Sequence, residues 1–248
     1  MITFKGPAEF ARMRHAGRVV AEVLDKVRAA SLPGVSLLSL DRLAAGIIEE
    51  RHCLSSFLNY HGYSGHICLS PNATIVHGIP DGRVLCEGDI LSVDAGAIFE
   101  GWHGDAAATF AIGDISAEAR RLIETTEQGL WAGIEQCRDG RRLGDVGHAI
   151  SAVAVAAGYG VVQEYTGHGI GRQMHEEPQV LNYGEPGKGM RLKKGMAVCI
   201  EPMFNLGGHH TRLLDDGWTV VTADGSLSAH FEHTVAITSR GPEVLTLP

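Results

Sequence analysis

No stretch of this sequence is long and apolar enough to cross a membrane. The longest apolar run, Ile150 to Val162, is too short and is broken by Gly158 and Gly160. The start, Met1-Ile2-Thr3-Phe4-Lys5-Gly6-Pro7, lacks the apolar run of a signal peptide. Cationic excess is missing too: 21 Lys and Arg stand against 29 Asp and Glu, a net charge of −8. That balance leaves no basic face for duplex nucleic acid and opposes anionic lipid. Cys53, Cys68, Cys86, Cys137 and Cys199 form no Cys-x-x-Cys pair, which excludes a zinc knuckle and a thioredoxin-like redox motif. Scattered thiols in odd number point to a reducing compartment. These absences predict a soluble cytoplasmic protein with no membrane or nucleic-acid role.

What is present is ordinary globular composition, 44% hydrophobic and 20% charged, with two excesses: 32 glycines and 13 histidines. Glycine at that level implies many special backbone turns. Histidine invites a search for metal or proton chemistry. The periodicity predicts a helix over Pro7–Ala30, with Phe10, Met13, Val20, Leu24 and Val27 on one face, ended by Pro33-Gly34. A second helix is expected from about Ser39 to Arg51. Between 57 and 111 the chain breaks into short strands and hairpins. The pattern then restarts. Ser116 caps a helix from Ala117 to about Cys137, and Asp145 is a candidate cap for another ending at Gly158. Strand runs follow at Val161–Tyr165, Ala197–Phe204, Trp218–Thr222 and Ala229–Thr238. A faint echo supports duplication: Gly34, Leu37, Ser39 and Leu40 match Gly140, Leu143, Asp145 and Val146 at a constant offset of 106. The reading is one α+β domain over 1–248, built from two similar halves of about 1–112 and 113–248, with helices covering one strongly curved sheet.

Four clusters carry chemistry. Asp94 ends an apolar strand run, and Asp105 lies beyond a tight turn at Glu100-Gly101. If they face each other across the hairpin, their Cβ atoms lie about 5 Å apart, and a dication would relieve the repulsion. Two solvated turn aspartates remain an open alternative on these residues alone. His168 sits among Gly167, Gly169 and Gly171, with His175 seven residues on; the spacing fits neither a P-loop nor a dinucleotide fingerprint. Glu201 in Cys199-Ile200-Glu201-Pro202 and Glu232 in His230-Phe231-Glu232-His233-Thr234 each fall within an apolar strand run, where a glutamate is costly without a cation or proton. If these groups converge, four carboxylates and one imidazole favour Mn²⁺, Fe²⁺, Co²⁺ or Zn²⁺. That is too many carboxylates for one ion and natural for two.

Asn72, His77-Gly78-Ile79-Pro80, Val93-Asp94-Ala95-Gly96-Ala97, His103-Gly104-Asp105, Gly167-His168-Gly169-Ile170-Gly171, His175-Glu176-Glu177-Pro178, Ile200-Glu201-Pro202 and Phe231-Glu232-His233-Thr234 together resemble the type I, bacterial-like methionine aminopeptidases. The resemblance spans almost the whole chain in order. It implies the pita-bread fold, a curved, mostly antiparallel sheet covered by helices, with pseudo-twofold halves. It implies removal of the initiator methionine from nascent chains with a small second residue, and nascent polypeptide N-termini, at the ribosome, as partners of a monomer. It implies two divalent ions: Asp105 and Glu232 bridging, Asp94 on one ion, His168 and Glu201 on the other. By the same resemblance His77 and His175 would contact substrate, His175 near the scissile carbonyl, and Glu201 would shuttle a proton. It also implies that Tyr60, Tyr63, Cys68 and Trp218 line the pocket for the methionine side chain. Three features depart from the family pattern: Met174 where an aromatic is common, Phe57 where a smaller residue is frequent, and Ala106-Ala107-Ala108 where hydroxyls are frequent. Two rival functions are an Xaa-Pro peptidase of the same fold and a non-catalytic binding protein of that fold. The first normally carries a large extra N-terminal domain; the second loses metal ligands.

Overall fold

A computed structural model describes residues 2–248. Two helices precede a run of strands, twice over. The first half holds α1 (Pro7–Ala30), α2 (Leu37–Glu50), β1 (Leu54–Ser55), β2 (Cys68–Pro71), β3 (Thr74–Val76), β4 (Ile90–Phe99) and β5 (Trp102–Ala111). The second holds α3 (Ala117–Gln136), α4 (Leu143–Ala157), β6 (Gly160–Val161), β7 (Gly167–Gly169), β8 (Glu176–Val180), β9 (Ala197–Ile200) and β10 (Met203–Asn205). It continues through β11 (Thr211–Leu213), β12 (Val220–Thr222), β13 (Ser228–His230), β14 (Glu232–Thr238) and β15 (Gly241–Val244). The main sheet runs β1-β4-β5-β14-β9-β7-β8, with β2 beside β4 and β15 beside β14, and its pairs are antiparallel.

Helix ends follow local chemistry. Pro7 opens α1, and Glu9 accepts a hydrogen bond from Gly6 N at 2.9 Å. α2 starts two residues before the expected Ser39, because Ser36 is the cap: its Oγ accepts from Ser39 N at 3.3 Å. Asp145 is likewise not the cap of α4. It lies in the first turn and accepts from Arg142 N at 2.8 Å. Ser116 and Gly158 occupy the capping positions expected of them.

The faint sequence echo marks a repeated turn. Gly34 N donates to Leu85 O and Leu37 N to Arg83 O, at 2.8 and 2.9 Å. In the second half Gly140 N donates to Leu192 O and Leu143 N to Met190 O, both at 2.9 Å. Gly34 and Gly140 carry φ of 92° and 90°, a region that favours glycine.

The β4–β5 hairpin turns through Glu100 and Gly101, both with positive φ. Phe99 pairs with Trp102, so Asp94 faces Ala107 and Asp105 faces Gly96. Direct opposition of Asp94 and Asp105 would need the turn one residue earlier. The two are instead diagonal neighbours on one face of the sheet.

All four expected strand runs of the second half are shorter or broken. Val161–Tyr165 is a strand only over Gly160–Val161, and Trp218–Thr222 only from Val220. The runs 197–204 and 229–238 both break, after Ile200 and after His230. Pro202, which has no N–H to donate, interrupts the first, and its carbonyl accepts from Phe231 N at 3.3 Å. Beyond the breaks, β10 and β13 pair with each other in a separate three-stranded sheet. Glu201 and Glu232 therefore sit where two strands change sheets.

Each half buries its helices on its own strands. Val20, Leu24 and Val27 of α1 and Leu40 and Ile48 of α2 pack on Leu91, Val93 and Ala95. Leu122, Leu130 and Ile134 of α3 and Ile150 of α4 pack on Val198, Ile200 and Val235. Met13 lies against residues of both halves, including Trp102, Ile170 and Leu245. α1 crosses β5 closely: a Cβ on Gly104 would lie 2.7 Å from Gly17 N. The helices thus hold the outer face and free the other for polar groups. Among the described residues no helix is long and apolar enough to cross a membrane.

Candidate active site

Asp94 and Asp105 come from the β4–β5 hairpin, His168 is the middle of β7, Glu201 follows β9, and Glu232 opens β14. Ala107 faces Asp94 on one side and Glu232 on the other. Its methyl group leaves room between the two carboxylates, and Asp105 stands two residues along on the same face. His168 Nε2 lies 3.9 Å from Asp105 Oδ2 and 3.5 Å from Glu201 Oε1. Ligand atoms of Asp105, His168, Glu232 and Cys199 all fall within 4.8 Å of one another.

Electrostatics leave this cluster short of a cation. Burial pushes the Asp94 carboxyl up to about 7. Burial, and then the charge of neighbouring carboxylates, pushes Asp105, Glu201 and Glu232 well above the usual carboxylate range. Asp94 Oδ1, Asp105 Oδ1 and Glu232 Oε1 are buried without a hydrogen-bond partner. Burial also pushes His168 down to about 3, keeping it neutral. Its Nδ1 lies 2.9 Å from Gly169 O, and donation there leaves the Nε2 lone pair facing the carboxylates, as a ligating imidazole requires. Orphaned carboxylate oxygens and a neutral imidazole fit a divalent cation.

The sequence pattern of metallopeptidase family M24 matches residues 11–239. The chain belongs to metallopeptidase family M24. The methionine aminopeptidase of Clostridium acetobutylicum is 50% identical over 248 residues, covering 100% of this chain and 99% of that one. The solved methionine aminopeptidase of Thermotoga maritima superposes with a TM-score of 0.98 at 42% identity, over 100% of both chains. The fold is the pita-bread fold, and the activity is that of a methionine aminopeptidase, a hydrolase. The prolidase of Pyrococcus furiosus shares the architecture at a TM-score of 0.79 and 18% identity; this chain covers 65% of it.

In this M24 peptidase a cavity of about 120 Å³ opens over the carboxylates. His77, His175, Tyr60, Tyr63, Cys68 and Trp218 line it together with Asp94, Asp105, His168, Glu201 and Glu232. Phe57 and Met174, the two departures from the family pattern, line it as well. Phe57, Tyr63, Cys68 and Met174 form a buried apolar cluster, with Tyr60 and Trp218 packed against it. Trp218 is fixed from below by Asp216, whose carboxylate accepts from Trp218 N and Thr219 N at 2.9 and 2.8 Å. Burial pushes His77 down to about 4, and burial followed by the neighbouring His61 lowers His175. Both imidazoles are therefore neutral near pH 7. Tyr60 Oη lies 2.7 Å from His175 Nδ1.

The loop carrying His175 is clamped from behind. Lys5 Nζ lies 2.9 Å from Glu176 Oε2, with side chains 2% and 7% exposed. Glu176 Oε1 accepts from Arg172 N and Gln173 N, at 2.8 and 3.2 Å. His103 N donates to Gly171 O at 2.9 Å. Nothing in the spacing of Lys5 and Glu176, 171 residues apart, signals their pairing. Two other residues at the centre escape a sequence reading. Cys199 looks like any apolar strand residue. His230, 2% exposed, places Nε2 3.8 Å from Glu201 Oε2. Its only signal is its position two residues before Glu232, on the same side of an extended chain. The alanines after Asp105 are offset in part: Thr234 Oγ1, from the other half, bonds Asp105 N and O at 3.0 and 2.8 Å.

Proposed function

We propose that the enzyme, acting as a single catalytic domain over 1–248, removes the initiator methionine from nascent chains whose second residue is small, in the cytoplasm and as a monomer. Asp94, Asp105, His168, Glu201 and Glu232 would hold two divalent ions, with Asp105 and Glu232 serving both. The observation that carries this reading is the set of buried, partnerless oxygens on Asp94, Asp105 and Glu232 facing a neutral His168. Four carboxylates exceed the need of one ion, and with no thiolate in the proposed set they suit Mn²⁺, Fe²⁺, Co²⁺ or Zn²⁺. When bound, the ions acidify a water and stabilise negative charge on the reacting oxygens.

The side chains supply the rest. The wall of Tyr63, Cys68, Trp218 and Tyr60, extended by Phe57 and Met174, takes the methionine side chain, and its rings and polarisable sulfurs suit a thioether. Tyr60 donates to His175 Nδ1, which leaves Nε2–H to donate to the scissile carbonyl oxygen as charge builds there. His77, which lines the same cavity, contacts the substrate backbone. Glu201, at the strand break, takes a proton at a carboxylate oxygen and passes it to the leaving amine.

Chelator-stripped protein, given back Mn²⁺, Fe²⁺, Co²⁺ or Zn²⁺ without oxygen, tests this on Met-Ala-Ser, Leu-Ala-Ser and Met-Pro peptides. Metal-dependent release confined to the methionyl peptide with a small second residue is expected. Equal release from Leu-Ala-Ser would remove the pocket assignment, and binding of one ion at full activity would remove the two-ion reading.

A further inference from the structure

His230 closes β13 at a strand crossing, and its backbone is fixed there. Its N–H donates to Thr109 Oγ1 and its carbonyl accepts from the same hydroxyl, both at 2.9 Å. Ser92 Oγ lies 2.8 Å from that hydroxyl and completes the chain. Glu201 is fixed by a different contact: Asn182 Nδ2 donates to its carbonyl at 3.0 Å. Between these anchored backbones the Glu201 carboxylate lies flanked by two imidazoles. Oε1 is 3.5 Å from His168 Nε2, and Oε2 is 3.8 Å from His230 Nε2. His230 Nε2 is buried and has no hydrogen-bond partner.

Gly169 O holds the hydrogen of His168 on Nδ1; among the described residues no carbonyl does so for His230, and a bare Nε2 lone pair aimed at a carboxylate would repel it, so the tautomer that carries hydrogen on Nε2 is favoured here. That N–H has one acceptor in front of it, and leaving a buried donor unmet costs about 1–3 kcal/mol. The gap to Oε2 closes with a shift of well under 1 Å, within the play of a glutamate side chain.

We propose that His230 is a positioning residue for Glu201: it donates Nε2–H to Oε2, fixes the rotation of the carboxylate and turns Oε1 toward His168 and the ion. The inference rests on the proposed role of Glu201 at the metal centre. It assigns the two carboxylate oxygens separate tasks, one toward the ion and one toward the protein. Such outer partners change metal affinity or turnover by about 10–100-fold when removed.

The test compares His230→Leu, which has no donor, with His230→Gln, whose amide supplies a neutral N–H of similar reach. Each is titrated with Mn²⁺ by calorimetry, loaded with Co²⁺ for its visible spectrum, and assayed on Met-Ala-Ser. The expected result for Leu is a weakening of about 10–100-fold in binding of one Mn²⁺ or in kcat, with KM unchanged. Gln should restore most of the loss and keep the wild-type Co²⁺ spectrum. Wild-type affinity and kcat in Leu would overturn the proposal. So would a Gln variant as impaired as Leu, or an altered Co²⁺ spectrum in Gln, which would make His230 a ligand itself. If Leu fails to fold, His230→Asn, whose amide is too short to reach Oε2, takes its place with the same expectation. Glu201→Gln runs alongside. Intact metal binding and turnover there would sink the role of Glu201, whereas an impaired Glu201→Gln beside a silent His230→Leu would sink the present inference alone.

Discussion

In the first half the strand beside β4 places Cys68 directly opposite Asp94, and the segment leading to it carries Phe57, Tyr60 and Tyr63. In the second half the strand beside β9 is β7, and its central residue is His168. The same position in the repeat thus supplies a pocket wall on one side and an imidazole on the other. The carboxylates do not diverge in this way. Asp94 and Glu201 each come six residues after a glycine at positive φ, Gly88 and Gly195, and Asp105 and Glu232 lie on the adjacent central strands β5 and β14. A duplicated scaffold gives a symmetric anionic floor, and a peptide, which has a direction, needs an asymmetric surround.

The largest expected effects probe the symmetric part. Asp105→Asn and Glu232→Gln should each abolish turnover and lose both ions, as counted by elemental analysis. A full metal complement in either would break the equivalence of the central pair. His175 belongs to the second half alone. Its replacement by alanine should cut kcat by about 10²–10³-fold while metal content holds, as for loss of a hydrogen-bond donor to the developing oxyanion; metal loss would move it into the floor. Lys5→Met leaves Glu176 buried without its cation. Denaturant unfolding should show a loss of about 3 kcal/mol, and the paired change with Glu176→Gln should recover much of it. An undiminished midpoint in Lys5→Met would show that the clamp contributes nothing. Trp218→Ala, on the pocket side, should lower kcat/KM for methionyl peptides about tenfold, chiefly through KM. An unchanged value would leave the pocket to the first half.

The smallest effect is one of pH. Asp94 ionises near 7 in the folded metal-free chain and near its ordinary 3.8 once unfolded. The folded state therefore holds the extra proton, and the stability gained from it falls as pH rises from about 4 to 7. His168 and His77, lowered to about 3 and 4, act in the opposite sense, and their contribution is complete by about pH 6.5. A metal ion takes the place of the carboxyl protons, so Mn²⁺ should raise Tm more at pH 8 than at pH 5.5. Equal shifts would mean that the carboxylates are already ionised without metal.

Much of this was legible in the residues. Helical periodicity placed α1 to the residue, and the four-residue echo at an offset of 106 marked a turn whose hydrogen bonds recur in both halves. The site clusters were visible because a glutamate in an apolar run is anomalous. The kinks were less so: Ala197–Phe204 and Ala229–Thr238 look continuous to periodicity, and only contacts such as Phe231 N to Pro202 O show the chain changing sheets there. Register failed by one residue of turn placement, enough to make Asp94 and Asp105 diagonal rather than opposed. Lys5 acts through a partner far off in sequence, and local pattern carries no trace of such a pairing.

The clamp of Lys5 on Glu176 also bears on the order in which the molecule is made. A ribosome releases Lys5 long before Glu176, 171 residues further on, with Glu201 and Glu232 later still. For most of that interval the lysine has no acid to meet, and the glycine-rich loop it will hold does not yet exist. The unfinished chain cannot assemble its centre, so hydrolytic competence arrives only when the last strands are in place.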